Sequence, residues 1–154
     1  EVSDPFVIAD IPGIIEGAHD GRGLGDRFLR HIERTTSLLL LLDVSGFSEN
    51  SPEEEYKTLI KELGLFSTKM LMKKRAVALT KLDTVTEFEQ LDKLQQKLES
   101  AGESVFRVSS VSGEGIKELL NFLAEVVKAG RQSDHQSTEH WNSDSTYTNQ
   151  IWDD

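Results

Sequence analysis

Three short stretches of the sequence place charged or hydroxyl side chains beside small residues, each at the end of an apolar run. They read Asp10-Ile11-Pro12-Gly13, Thr80-Lys81-Leu82-Asp83 and Ser109-Ser110-Val111-Ser112-Gly113. Carboxylates bind hydrated metal ions and amine donors, whereas small residues let backbone N–H groups closely approach an anionic oxygen. These residue types suit a ligand that combines phosphates, a metal ion and a polar ring.

The first stretch suits a metal ion and a phosphate. Asp10 follows the apolar run Phe6–Ala9, and its carboxylate can hold the water shell of Mg²⁺ at the tip of a strand. Gly13 can bring its N–H close to a terminal phosphate. The same order of residues also forms an ordinary turn, so both interpretations stay open for this stretch alone.

The second stretch suits a purine base. The Asp83 carboxylate can accept hydrogen bonds from N1–H and the N2 amine of guanine, a donor pair that adenine lacks. The stem of Lys81 can lie along the ring while its charged end stays in water. An exposed loop of lysine and aspartate is the alternative interpretation.

The third stretch suits a carbonyl oxygen of the same base. Ser109, Ser110 and Val111 open a run of small residues whose backbone N–H groups can reach such an oxygen. The alternative is a serine-rich turn that caps the following helix. Both interpretations can hold together.

Alternating strands and helices position the three stretches. Apolar runs predict four buried strands, at Phe6–Ala9, Leu38–Val44, Ala76–Thr80 and Val105–Ser109. Helical spacing predicts helices at Gly25–Thr35, from a Ser51 N-cap through Leu63, at Glu87–Ala101 and at Glu114–Lys128. This alternation predicts an α/β fold with a mainly parallel sheet and helices on both faces. Because parallel strands end at one edge, all three stretches should face that edge.

The composition limits the classes of partner. The chain has 154 residues, a net charge of -10 and no cysteine. Such a charge disfavours strong general binding to nucleic acid or anionic lipid. The lack of cysteine removes disulfides and thiolate metal sites, and it fits a reducing compartment. The longest apolar run, Leu38–Leu42, is too short for a membrane span.

The composition changes after Gly130, where Ser, Thr, Asn, Gln and Asp replace the aliphatic residues. This change predicts a folded domain over 1–129 and a disordered polar tail over 130–154. Docking of tail aromatics such as Trp141 and Trp152 on a partner is the alternative. The four histidines have no metal-ligand spacing, and the basic residues around Arg30 form either an RNA contact or a solvated helix face.

The three stretches together resemble the motifs of a known family. DIPG is similar to the third G motif of GTPases, TKLD to the fourth and SSVSGEG to the fifth. The longer segment DIPGIIEGAHDGRGLGDRFLRHIERT resembles switch II of the Obg family of GTPases. The resemblance covers roughly residues 5 to 128 and implies part of a P-loop GTPase-like fold.

The resemblance implies GTP or GDP and Mg²⁺ as ligands. It gives Asp10 a contact to Mg²⁺ through water and Gly13 a contact to the γ-phosphate. It makes Lys81 and Asp83 guanine binders, and it gives the Ser110 N–H a contact to guanine O6. The resemblance also makes Thr80, Ser109 and Val111 expected nucleotide-binding residues.

Three departures from the family pattern modify this expectation. Ile14 stands where Ras-like GTPases have a water-orienting glutamine. The Obg family resembles this sequence in having a hydrophobic residue there, which predicts slow intrinsic hydrolysis. Thr80 replaces the usual asparagine, so that its hydroxyl can brace the loop with fewer hydrogen bonds. No G-x-x-x-x-G-K-S/T loop occurs in the 154 residues. The chain is therefore expected to be the C-terminal part of a G domain that, alone, hydrolyses GTP negligibly.

The resemblance also implies a biological setting. An Obg-type protein is expected to contact the large ribosomal subunit, in ribosome assembly or stress control. It is expected in the cytoplasm, or in an organelle matrix or stroma if a transit peptide precedes these residues. The rival hypothesis is a non-catalytic G-domain remnant or isoform that binds protein partners.

Overall fold

A three-stranded parallel sheet forms the centre of the computed structural model, which describes residues 5–10 and 35–143, with the backbone alone for Phe66 and 133–143. Its strands are β1 (Ser37–Asp43), β2 (Lys74–Thr80) and β3 (Ser104–Arg107), in the order β1-β2-β3. In the register, Asp43 lies opposite Thr80. The sheet confirms the predicted α/β class.

In the described part of the chain, three helices and one short turn connect the strands, and a fourth helix follows β3. They are α1 (Pro52–Phe66), α2 (Thr68–Leu71), a 3-10 turn (Leu82–Thr84), α3 (Phe88–Ser100) and α4 (Ile116–Ser143). The start of α1 is fixed by a capping box, in which the Ser51 hydroxyl accepts from the Glu54 N–H and the Glu54 carboxylate accepts from the Ser51 N–H. This cap confirms the N-terminus predicted from the sequence.

Side chains that alternate along β1 fill both sides of the sheet. Leu38, Leu40 and Leu42 are buried in a cluster with residues of α1, α2 and α3. Leu39 points to the opposite face, where α4 supplies Leu119 and its neighbours. Because a strand presents successive side chains to opposite faces, the apolar run covers two cores at once. Helices on both faces are therefore confirmed.

The strand predicted at Phe6–Ala9 is absent, and that prediction is wrong. Residues 5–10 have no regular secondary structure, and Val7 is 91% exposed. Among these six residues, only Phe6 packs against the core cluster that contains Leu119. A strand needs a neighbour for its backbone hydrogen bonds, and β1 pairs only with β2 among the described residues.

The third strand ends at Arg107 rather than at the predicted Ser109. The Val108 N–H still donates to the Leu79 carbonyl at 2.9 Å. The Ser109 N–H instead donates to the Glu114 carbonyl at 3.0 Å. The chain therefore leaves the sheet at this point and closes a loop.

The last helix continues beyond the predicted end at Lys128, through Gly130 to Ser143. A Cβ atom on Gly130 would lie 2.2 Å from the Thr36 side chain, so that the glycine permits close packing in mid-helix. No proline or glycine follows Gly130 to stop the helix. Of the predicted tail over 130–154, residues 130–143 are thus helical, and 144–154 lie outside the described residues, as do Gly13 and residues 25–34 of the predicted helix Gly25–Thr35.

Candidate nucleotide-binding site

Two of the three stretches meet at the carboxyl ends of the strands. The loop 80–84 follows β2, and the loop 108–115 follows β3. The Leu82 N–H donates to the Val108 carbonyl at 3.2 Å and so ties the two loops together. The structure therefore brings Thr80, Lys81 and Asp83 to the same edge as the serine-rich loop.

The buried Ser109 hydroxyl joins the two loops chemically. Its Oγ donates to Asp83 Oδ1 at 2.5 Å and accepts from the N–H groups of Val111 and Ser112 at 3.2 and 3.1 Å. Ser109 is fully buried, whereas Asp83 is exposed. One hydroxyl thus fixes a solvent-facing carboxylate and the turn beside it.

A glycine sets the shape of the serine-rich loop. Gly115 has a φ of +70°, and a Cβ there would lie 1.8 Å from the Arg107 carbonyl oxygen. Gly113 also has a positive φ, and its N–H donates to the Ser109 carbonyl at 2.9 Å. The loop needs glycine at 115 because of this contact with the end of β3.

The loop leaves Ser110 and Val111 exposed at the rim. The Val111 N–H is used by Ser109, and the Val111 side chain is 83% exposed. The Ser110 N–H takes part in no hydrogen bond within the described parts of the chain. This N–H is therefore available to an acceptor from a ligand.

Lys81 has an unusual backbone. Its φ of 63° and ψ of 37° lie in the left-handed region, which is costly for a residue with a Cβ. Its carbonyl accepts from the Thr84 N–H at 3.0 Å and from the Thr84 hydroxyl at 2.7 Å. The tight turn after β2 is thus held by its own residues.

The Lys81 side chain pairs with a carboxylate that lies outside the three sequence stretches. Lys81 Nζ lies 2.6 Å from Asp43 Oδ2, at the end of β1. Partial burial raises the pKa of Asp43, but hydrogen bonds from Lys81 and Ser45 outweigh it and lower the pKa to about 2. The position of Asp43 directly after the apolar run 38–42 was the signal in the sequence that could have identified it, because a carboxylate at the end of that strand lies at the same edge of the sheet as Asp83.

Thr80 braces the strand ends. Its hydroxyl donates to the Leu42 carbonyl at 3.0 Å, and its own carbonyl accepts from the Val44 N–H at 3.2 Å. The Thr80 hydroxyl therefore ties the end of β2 to the end of β1.

The first stretch is not joined to the other two in the described structure. Asp10 is exposed in the irregular segment 5–10, and Gly13 lies outside the described residues. Within the described ranges, no three metal-ligating side chains lie close enough together to hold an ion. None of the helices described is long and apolar enough to cross a bilayer.

The fold and the two loops define part of a P-loop GTPase-like α/β domain. A family model described as a 50S ribosome-binding GTPase matches residues 1–81. The chain belongs to this family. A second model, described as ethanolamine utilisation and propanediol utilisation, matches residues 57–125.

Curated relatives narrow the similarity to one kind of protein in that family. GTPase Obg of Thermodesulfovibrio yellowstonii is 49% identical over 79% of this chain and 36% of its own length. The relative from Syntrophobacter fumaroxidans is 48% identical over 80% and 35%, and that from Alkaliphilus metalliredigens is 44% identical over 81% and 29%. The resemblance to the Obg family is confirmed. The chain spans about a third of the length of these relatives.

Proposed function

We propose that these residues form the switch II and base-binding part of an Obg-type protein that binds and hydrolyses GTP. The observation that carries the proposal is the pairing of Asp83 with Ser109, beside the available Ser110 N–H. A carboxylate and a backbone donor at one rim match the donor and acceptor pattern of guanine.

In this proposal, each group recognises a different part of the base. The Asp83 carboxylate accepts from guanine N1–H and N2, and the Ser110 N–H donates to O6. The Lys81 stem lies along the ring. Hydrogen bonds to a charged group contribute roughly 1.5–3 kcal/mol each, so that adenine, which lacks both donors, is rejected.

Asp10 and Gly13 complete the proposal at the phosphate end. The exposed Asp10 carboxylate supplies the hard oxygen that Mg²⁺ prefers, and a hydrated ion needs few other protein ligands. When bound, Mg²⁺ would neutralise charge on the phosphates. We expect slow intrinsic hydrolysis because Ile14 cannot orient water.

The large ribosomal subunit is the proposed partner, in ribosome assembly or stress control, with a cytoplasmic location. The description of the matching family supports this partner. Because switch II is proposed to report the nucleotide state to the partner, the contact should depend on whether GDP or GTP is bound. Co-sedimentation of a P-loop-extended version of the chain with purified 50S subunits, in GDP and in a non-hydrolysable GTP analogue, tests this. Equal sedimentation in both would contradict it.

Titration with fluorescent GDP and GTP tests the nucleotide function. Two proteins are compared: the 154-residue chain, and a P-loop-extended version. The latter joins the segment that precedes the matched region in GTPase Obg of Thermodesulfovibrio yellowstonii upstream of Glu1. We expect tight binding by the extended version and weak binding by the chain. Failure of the extended version to bind either nucleotide would contradict the GTPase function and favour the rival hypothesis of a module that binds protein partners. Micromolar or tighter binding by the 154-residue chain would exclude the hypothesis that it is a non-catalytic remnant.

Substitution of Asp83 tests the base-reading role in the extended version. An amide at this position donates where the carboxylate accepts, so Asp83→Asn should weaken GDP binding and favour xanthosine diphosphate. Each hydrogen bond to the charged group is worth about 1.5–3 kcal/mol, which predicts at least a tenfold change for GDP. Calorimetric titration with the two nucleotides measures it. Unchanged preference for guanine would exclude Asp83 from the site.

A further inference from the structure

The end of β1 carries a carboxylate that contacts the base-binding loop. Asp43 Oδ2 lies 2.6 Å from Lys81 Nζ, across the edge between β1 and β2. We propose that Asp43 is a positioning residue of the guanine site, which holds the Lys81 side chain in the orientation that meets the base. This inference rests on the proposed function.

Both oxygens of Asp43 are used in defined contacts. Oδ1 accepts from the Ser45 N–H at 2.8 Å, while Oδ2 pairs with Lys81. The strand register places Asp43 opposite Thr80, the residue before Lys81. The Asp43 side chain is only 24% exposed. The carboxylate is therefore oriented by its own strand and turn before it meets the lysine.

Lys81 is held at both ends. Its backbone is fixed in the left-handed conformation by two hydrogen bonds from Thr84, and its ammonium group is fixed by Asp43. The methylene stem between these points spans the edge of the sheet. A long side chain that is ordered before the ligand arrives loses less conformational freedom on binding, which favours affinity.

The sign of the effect separates positioning from simple electrostatics. A nucleotide is anionic, and removal of the Asp43 charge would strengthen binding if repulsion alone mattered. If Asp43 positions Lys81, its removal weakens binding because the lysine must then be ordered by the ligand. The two explanations thus predict opposite directions for the same variant.

A double-mutant cycle tests the proposal. Asp43→Asn, Lys81→Met and the double variant are titrated with GMP by NMR in the 154-residue chain, and with fluorescent GDP in the P-loop-extended version. We expect Asp43→Asn to weaken binding by about three- to tenfold. In the Lys81→Met background it should have no further effect, because the carboxylate acts through the lysine.

Two further variants control for loss of structure. Asp92→Asn removes an exposed carboxylate of α3 that pairs at 2.6 Å with Arg107, a residue of β3 rather than of either loop, and should leave the affinity unchanged. Asp43→Glu keeps the charge and should restore affinity to within about twofold of the native chain. If Asp43→Asn fails to fold, Asp43→Ser replaces it in both backgrounds of the cycle, and an effect of Asp43→Ser that persists with Lys81→Met overturns the proposal.

The outcomes separate this inference from the function on which it rests. Binding that tightens in Asp43→Asn, or an effect that persists in the Lys81→Met background, overturns the positioning role and leaves the guanine site intact. If neither the 154-residue chain nor the P-loop-extended version, both without substitutions, binds guanine nucleotide, the site and the inference are overturned together. AMP serves as the control ligand, and equal effects on AMP and GMP would also overturn the role of Asp43 in guanine binding.

Discussion

Single residues at the edge of the sheet are held by a few hydrogen bonds, and the Ser109 hydroxyl makes three of them. Ser109→Ala would remove the donor to Asp83 and the acceptor for the N–H groups of Val111 and Ser112. Each hydrogen bond contributes a net of about 0.5–1.5 kcal/mol, and the groups left behind belong to exposed residues that water can reach, so we expect the free energy of unfolding to fall by about 1–3 kcal/mol in total. Urea denaturation measures the change.

The neighbouring serine provides the matched control for this prediction. Ser110 is exposed, and its proposed contribution comes from the backbone N–H, which substitution retains. Ser110→Ala should therefore change stability by no more than about 0.5 kcal/mol and leave GDP affinity unchanged. Equal losses in the two variants would show that the hydroxyl of Ser109 has no special role.

The ionised state of Asp43 predicts a dependence of stability on pH. Hydrogen bonds lower its pKa from 3.8 to about 2 in the folded chain, so its contribution is present above about pH 4 and is lost as the pH falls towards 2. After discounting for solvent screening, we expect the ionised Asp43 to contribute about 1 kcal/mol to the free energy of unfolding. Chemical denaturation of the native chain and Asp43→Asn at pH 6 and pH 2 measures this difference.

A difference between the two proteins is needed because another carboxylate titrates in the same range. Hydrogen bonds from Lys57 and Lys97 also lower the pKa of Glu53 to about 2. Glu53 contributes equally to the native chain and to Asp43→Asn, and so it cancels. A gap in stability between the proteins that stays the same at pH 6 and pH 2 would contradict the ion pair with Lys81.

At the scale of elements, the turn between β3 and α4 depends on one glycine. A Cβ at Gly115 would clash with the Arg107 carbonyl, whereas a Cβ at Gly113 meets no atom within 4 Å. Both glycines have positive φ, so both alanine variants carry backbone strain of about 1–2 kcal/mol. Only Gly115→Ala adds the clash, which should bring its total cost to about 3 kcal/mol or more.

Thermal and urea unfolding of the two glycine variants measure this contrast. Because β3 and α4 must shift to relieve the clash, Gly115→Ala should also weaken GDP binding in the P-loop-extended version. Gly113→Ala should retain more of it. Similar stability of the two variants would indicate that the loop relaxes without cost and does not hold the serine-rich stretch in place.

The elements also show what the sequence could and could not predict. The strands at β1 and β2 and the cap at Ser51 were predictable because apolar runs and capping residues act locally. The strand at Phe6–Ala9 was not formed, since pairing depends on a neighbour that local pattern does not reveal. The Asp43–Lys81 pair was missed because it joins the ends of two strands whose pairing local spacing does not reveal.

At the scale of the whole molecule, nucleotide binding should stabilise the fold. A ligand that binds only the folded state adds about 2.7 kcal/mol at a concentration one hundred times its Kd. For a domain of this size that corresponds to a rise in Tm of roughly 5–10 °C. We expect this rise for the P-loop-extended version with GDP, no rise with ADP, and a much smaller one for the 154-residue chain. Differential scanning calorimetry at fixed protein concentration measures it. Equal stabilisation by ADP and GDP would place the binding energy in the phosphates alone and leave the edge around Asp83 without a role in choosing the base.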